Sequence, residues 1–150
     1  MKQSPIEAVT ADSLEEILPL VRQYQEFYKI TDISDQRNRD FFSRFCGENP
    51  SGRQFLFRHN GKAVAFATIY FSYTSSLPAR VAVLNDLFTL PDARGQGIGR
   101  KLIEYCRTYA KENGAARLQW LTASDNHVAQ HLYDSIGTSK SNWVFYTCPV

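Results

Sequence analysis

Cysteine is scarce in this chain, and what there is forms no pattern. Cys46, Cys106 and Cys148 are far apart and odd in number. Without a C-x-x-C pair they suggest neither a zinc site nor a disulfide framework. They read as reduced, mostly buried thiols that behave as small hydrophobes. Long apolar runs are missing too: none approaches the roughly 18 residues that a bilayer span requires. Met1-Lys2-Gln3-Ser4-Pro5 lacks the apolar core of a signal peptide. An excess of one charge is also absent. Seventeen Lys and Arg face 15 Asp and Glu, for a net charge of +2, and the basic residues are not gathered into a run. That argues against a nucleic-acid binder. Repeats, low-complexity tracts and long linkers do not occur. The remainder is the composition of an ordinary globular protein, 43% apolar and 21% charged over 150 residues. The expectation is one domain, residues 1–150, cytoplasmic, without a metal.

Periodicity then sketches the elements. Ile6 to Val9 is a short strand candidate. Ser13-Leu14-Glu15-Glu16 has capping-box spacing. Leu14, Ile17, Leu18, Val21, Tyr24 and Tyr28 follow at helical intervals, with Pro19 expected to bend the helix or remove one of its hydrogen bonds. Phe41, Phe42 and Phe45 suggest a second short helix. Gln54–His59 and Lys62–Tyr73 are rich in aromatic and β-branched residues around Asn60-Gly61, the preferred type I′ turn pair. Arg80–Leu90 reads as a long strand. Ile98–Asn113 is the strongest helix, with Ile98, Leu102, Ile103, Cys106 and Ala110 as its apolar stripe and Gly114 at its end. Arg117–Thr122 is expected as a strand, Val128–Ile136 as a helix and Trp143–Cys148 as a last strand. The order β-α-α-β-β-β-α-β-α-β implies an α/β (α+β) fold around a mixed sheet.

Chemistry concentrates where the third long strand meets the strongest helix. Arg94-Gly95-Gln96-Gly97-Ile98-Gly99 turns a strand into a helix N-terminus. There, free N–H groups and the helix dipole favour an anion, and glycines let the backbone approach it. Arg94, Arg100 and Lys101 add positive charge for a diphosphate or a ribose phosphate. The P-loop ending Gly-Lys-Ser/Thr is not supplied by Gly99-Arg100-Lys101. Nor does the G-x-G-x-G spacing match the dinucleotide fingerprint. A phosphate site of another kind and a glycine-rich connection without a ligand remain.

Asn126, Ala129 and Tyr133 are spaced i, i+3, i+7 and so share one face of the next helix, with a small residue between two polar ones. A phenol beside a thioester sulfur could protonate the leaving thiolate. Its reference pKa of about 10 lies close to the roughly 8.5 of a thiol. The other reading of Tyr133 is a core aromatic with its hydroxyl at the surface.

Two segments carry a resemblance. Leu84-Asn85-Asp86-Leu87-Phe88-Thr89-Leu90-Pro91-Asp92-Ala93-Arg94-Gly95-Gln96-Gly97-Ile98-Gly99 resembles the central motif of the GNAT superfamily of N-acetyltransferases. Asp125-Asn126-His127-Val128-Ala129-Gln130-His131-Leu132-Tyr133-Asp134-Ser135-Ile136-Gly137 resembles its second motif. The pattern is similar to that of the diamine acetyltransferase-like members. The resemblance implies a mixed, mostly antiparallel sheet with helices on both faces. It implies that acetyl-CoA is the cosubstrate and a primary amine the acceptor. Leu87, Phe88 and Thr89 would offer backbone groups to the pantetheine arm. Gly95, Gln96, Gly97, Ile98, Gly99 and Arg100, with Arg94, would hold the pyrophosphate. Asn126 and Tyr133 would lie near the thioester.

The expected mechanism is direct attack of the amine in a ternary complex, with Tyr133 as acid. Asp86 is a candidate base, and equally a structural hydrogen-bond partner beneath the sheet. Glu26, Tyr28 and Asn85 are the candidate acceptor contacts. Asn85 stands where polyamine-type relatives often place an acid. His127 and His131 are read as surface or cofactor-edge residues, and Trp120 and Trp143 as core or dimer-interface aromatics. The apolar Trp143–Cys148 strand could support a homodimer. A non-catalytic acyl-CoA-binding or regulatory module on the same fold is the alternative. The acceptor, whether polyamine, amino acid, aminoglycoside or protein lysine, is left open.

Overall fold

The computed structural model describes residues 3–150. Met1 and Lys2, which begin the segment read as lacking a signal-peptide core, lie outside the described residues. The chain forms two compact units, Met1–Trp120 and Leu121–Val150.

The first unit is a five-stranded sheet in the order β1-β2-β3-β4-β5. Its strands are β1 (Ile6–Ala8), β2 (Gly52–His59), β3 (Lys62–Thr74), β4 (Ala79–Thr89) and β5 (Leu118–Gln119). The first four pair antiparallel and β5 joins β4 in parallel, so the sheet is mixed as expected. Asn60 and Gly61 both have positive φ, 52° and 76°, which the type I′ turn between β2 and β3 requires.

Helices cover both faces. On one lie α1 (Leu14–Phe27) and α2 (Asp35–Phe42), the latter ending in a 3₁₀ turn, Ser43–Phe45. Leu14, Ile17, Leu18, Leu20 and Val21 of α1 are buried in a core with Leu56, Phe66 and Phe88. Each such side chain contributes about 1.5–3 kcal/mol relative to its exposed state. That outweighs the roughly 3 kcal/mol cost of a proline within a helix, and α1 runs through Pro19. The expected capping box does not form. The Ser13 hydroxyl accepts from the Thr10 N–H at 2.9 Å instead, and the Glu16 carboxylate is drawn to Arg58 at 2.7 Å.

On the other face α3 (Ile98–Glu112) buries the stripe read from its sequence, Ile98, Leu102, Ile103, Cys106 and Ala110. Phe55 packs against Tyr105 and Tyr109 there, with ring centroids 5.0 and 4.9 Å apart. Burial pushes the Cys106 thiol up to about 12, so this cysteine is a core hydrophobe. Cys46 is half-buried and Cys148 exposed.

The second unit contains α4 (His127–Asp134), none of whose residues is fully buried. Two expectations fail in the last third of the chain. The strand over Arg117–Thr122 shrinks to Leu118–Gln119. The strand over Trp143–Cys148 does not form. A strand needs a neighbour for its backbone groups, and β-propensity alone does not supply one. Trp143 is 89% exposed and so is not a core residue. Trp120 is half-buried.

Candidate active site

The β4 strand is irregular where its sequence is most informative. Thr68 of β3 faces Asp86, and the next residue, Ile69, faces Leu84. Asn85 is therefore an extra residue, a β-bulge. The bulge leaves the Asn85 side chain exposed and buries Asp86. The backbone carbonyl of Asn85 accepts a hydrogen bond from the Tyr24 hydroxyl at 3.5 Å.

Ladder parity decides what β4 offers beyond the bulge. Leu90 donates to the carbonyl of Val64 in β3. Residues two apart point their backbone groups the same way, so the peptide groups of Phe88 and Asp86 also face β3. Those of Leu87 and Thr89 face the opposite side, where pairing with β5 reaches only Val83. Of the three residues named from the resemblance, Leu87 and Thr89 have outward-facing peptide groups, while Phe88 spends its own on Phe66. The Thr89 carbonyl accepts from Arg94 Nε at 3.0 Å. The Arg94 guanidinium also stands 5.5 Å from the centroid of the Phe88 ring. Arg94 thus ties the end of β4 to the turn that follows.

That turn has the geometry of an anion cradle. After a 3₁₀ turn, Pro91–Ala93, Gly95 and Gly97 both adopt φ of 77°. Nothing lies within 4 Å of the position a Cβ would take at either glycine. Gly97 is the N-cap of α3 and makes no side-chain cap. The N–H groups of Ile98, Gly99 and Arg100, which have no partner within a helix, are left facing outward with the dipole behind them. Arg94, Gln96, Arg100 and Lys101 are exposed around them.

Beneath the bulge lies a buried polar row that the sequence reading did not single out. Gln54, Thr68 and Asp86 are direct cross-strand neighbours on β2, β3 and β4. They are 0%, 0% and 5% exposed, on the face that α1 covers. Gln54 Nε2 donates to Thr68 Oγ1 at 3.3 Å, and Asn85 Nδ2 donates to Asp86 Oδ1 at 2.9 Å. Burial pushes the Asp86 carboxyl above its ordinary value, while the Thr68, Tyr24 and Asn85 side chains beside it pull the other way. Burial first, then the Asp86 carboxylate, raises the Tyr24, Tyr28 and Tyr70 phenols. All three phenols are therefore neutral hydrogen-bonding groups in this site. The only signal in the sequence was a polar residue at an inward position of each strand, and only the register shows that the three line up.

The other predicted residues fall in two places. Tyr28 caps α1, 48% exposed. Glu26, two residues earlier, lies 3.8 Å from Arg22 on an exposed surface. In the second unit Asn126 is the N-cap of α4, its Oδ1 accepting from the Ala129 N–H at 3.2 Å. It precedes the helix rather than sharing its face. Tyr133 is half-buried on α4, four residues after Ala129. His59, His127 and His131 are exposed. Among the described residues no His, Cys, Asp and Glu side chains gather into a group that could hold a metal. No helix among them is long and apolar enough to cross a membrane.

A mixed α/β sheet whose fourth strand leads through a glycine turn into a helix N-terminus is an architecture with a candidate anion site, and comparison with known proteins gives its family. The profile of the Acetyltransferase (GNAT) family matches residues 15–137. An uncharacterized N-acetyltransferase, YhfO of Bacillus subtilis, is 32% identical over 142 residues, which are 95% of this chain and 93% of the relative. A thialysine N-epsilon-acetyltransferase of Bos taurus is 31% identical over 85% of this chain and 81% of its own. The crystal structure of a probable acetyltransferase, 28% identical, superposes with a TM-score of 0.84 over 100% of this chain and 98% of that one. The chain belongs to the acetyltransferase (GNAT) family and is an N-acetyltransferase.

Proposed function

We propose that this protein transfers an acetyl group from acetyl-CoA to the primary amine of a small amino-acid-like acceptor, by direct attack in a ternary complex. The observation that carries the reading is the continuous edge from the bulge at Asn85, along Leu87 and Thr89, into the Gly95–Gly97 cradle. An extended pantetheine arm pairs with the outward peptide groups of Leu87 and Thr89 as an added strand would. The pyrophosphate sits on the N–H groups of Ile98, Gly99 and Arg100, with the cationic side chains around the turn. The family match runs across both compact units, which supports reading 1–150 as one acetyltransferase domain. The bovine relative's thialysine activity supports a small amine as acceptor.

The chemistry follows from these placements. An outward N–H of β4 polarises the thioester carbonyl. The acceptor arrives as an ammonium with a pKa near 10.4 and must lose a proton before it attacks. Asp86 is the base, acting through a water beside the exposed Asn85. The groups acting on it are neutral donors, and the raised basicity of the buried carboxylate suits proton abstraction. Holding amine and thioester together supplies roughly 7–11 kcal/mol in well-oriented cases. Tyr133 protonates the departing coenzyme A sulfur, an assignment that rests on the Asn126–Tyr133 motif.

The test is a panel of amines including thialysine, lysine, polyamines and aminoglycosides, incubated with acetyl-CoA and read by mass. A gain of one acetyl group on an amino-acid-type amine is expected. Calorimetry should show tight binding of coenzyme A and none of ATP or NAD. Acetylation confined to polyamines or aminoglycosides would overturn the acceptor class. Tyr133→Phe should keep acetyl-CoA binding and lose roughly 10²–10⁴ in turnover.

A further inference from the structure

We propose that Thr68 and Gln54 are positioning residues for acetyl transfer, joined to Asp86 as a hydrogen-bonded row that sets the basicity of its carboxylate. This rests on the reading of Asp86 as the base. The register makes the three residues consecutive neighbours across β2, β3 and β4. Thr68 has one hydroxyl proton. Because Gln54 Nε2 donates to Thr68 Oγ1 at 3.3 Å, that proton is free to point at Asp86, and Thr68 acts on the carboxyl as a hydrogen-bond donor. Reversing Gln54 would present its carbonyl to Thr68 and draw the proton away from Asp86. The observed orientation instead leaves Gln54 Oε1 buried without a partner. An orphaned buried carbonyl is unfavourable, and apolar side chains in place of both partners would be neutral or better for stability. With Nε2 rather than Oε1 against Thr68, the Thr68 proton is kept for the carboxylate.

The remaining groups facing Asp86 are known. Tyr24 comes from α1, Tyr28 from its C-cap, Tyr70 from β3 and Asn85 from β4, and burial keeps the three phenols neutral. None of them titrates in the range where the carboxyl does. Loss of the Thr68 donor therefore moves the Asp86 midpoint upward, and a base with a higher midpoint becomes active at a higher pH. A hydrogen bond to a charged group is large enough for a shift of about one pH unit. Rates on the acid side would fall about tenfold, with the plateau altered much less. Gln54→Leu acts one bond further away and gives a smaller shift of the same sign.

The experiment records kcat/KM against pH, with acetyl-CoA and thialysine, for the native enzyme, Thr68→Val, Thr68→Ser, Gln54→Leu and Asp86→Asn. The Asp86 carboxyl is titrated in parallel by carbon-13 NMR, which needs no turnover. Upward movement of both the acid limb and the NMR midpoint in Thr68→Val, restored by Thr68→Ser, supports the proposal. If Thr68→Val does not fold, the smaller upward shift in Gln54→Leu takes its place. An unmoved midpoint overturns the row. A midpoint that moves without the acid limb overturns its role in transfer, and so does full activity in Asp86→Asn. That last result removes Asp86 as the base as well. An inactive Asp86→Asn beside an unshifted Thr68→Val removes only the row.

Discussion

The two faces of the central sheet are built from the same strands and do different work. Toward α3 the strands present Phe55, Ala65, Ala67 and Ile69, each 0–1% exposed, against Leu102 and Cys106, both fully buried. Toward α1 the same strands present Leu56, Phe66 and Phe88, but next to them Gln54, Thr68 and Asp86. One face holds the sheet together by apolar burial. The other gives up apolar contact to keep a carboxylate and its donors out of water, a few ångströms from the exposed Asn85. The proposed base is on the face whose core includes polar groups, as expected where local rules are broken for chemistry.

Substitutions on the two faces should therefore separate activity from stability. The largest effect expected is on activity. Asp86→Asn keeps the shape of the buried side chain and removes the base, so kcat/KM with acetyl-CoA and the panel's best amine should fall roughly 10²–10⁴. Its urea midpoint near neutral pH should not decrease. Leu102→Ala on the α3 face should do the reverse. A leucine with no exposed surface leaves a cavity, so stability should drop by about 2–5 kcal/mol. The kcat/KM per folded molecule should stay native. If Leu102→Ala abolishes turnover in folded protein, the division between the faces is wrong.

How much of this could be read from the sequence differs along the chain. The α3 stripe, the Asn60-Gly61 turn and the glycine cradle were legible because each is local: a 3.6-residue period, a turn pair, a strand–turn–helix motif. The Gln54–Thr68–Asp86 row was not, since its members are joined only by register, over intervals in which any polar residue looks incidental. The bulge at Asn85 hid for the same reason. It shifts parity by one, and this is what turns Phe88 toward β3 while Leu87 and Thr89 point outward. Trp143–Cys148 has strand-like composition, but composition does not provide a pairing partner. Ser13 and Glu16 had the spacing of a capping box, yet Thr10 and Arg58 competed successfully for their side chains.

The cradle joins the two faces, and a smaller effect is expected there. Gly97 has φ of 77° with open space where a Cβ would stand, so Gly97→Ala carries the cost of the left-handed conformation alone, about 1–2 kcal/mol. Thermal unfolding should show that loss. A rise in KM for acetyl-CoA larger than the rise for the amine would place the defect at the cradle. Equal changes in both would show that the turn does not discriminate between the two substrates.

The smallest effect is one of pH, and it concerns Asp86 alone. Burial raises its carboxyl above the ordinary value of 3.8, so the native state binds its proton more tightly than the unfolded chain does. The stability this provides is complete below the unfolded value and is lost as pH rises through the folded one. Asp86→Asn has no proton to release. Measured by urea unfolding from pH 4 upward, the variant should gain on the native protein as pH rises and then hold a constant lead once the native carboxyl is ionised. The same series on Leu102→Ala should run parallel to the native curve, since no titrating group is changed. A native protein that instead gains on Asp86→Asn with rising pH would mean that the donors from Thr68, Tyr24 and Asn85 outweigh burial. The α1 face would then be a site that stabilises a charge rather than one that holds a base at the cost of stability.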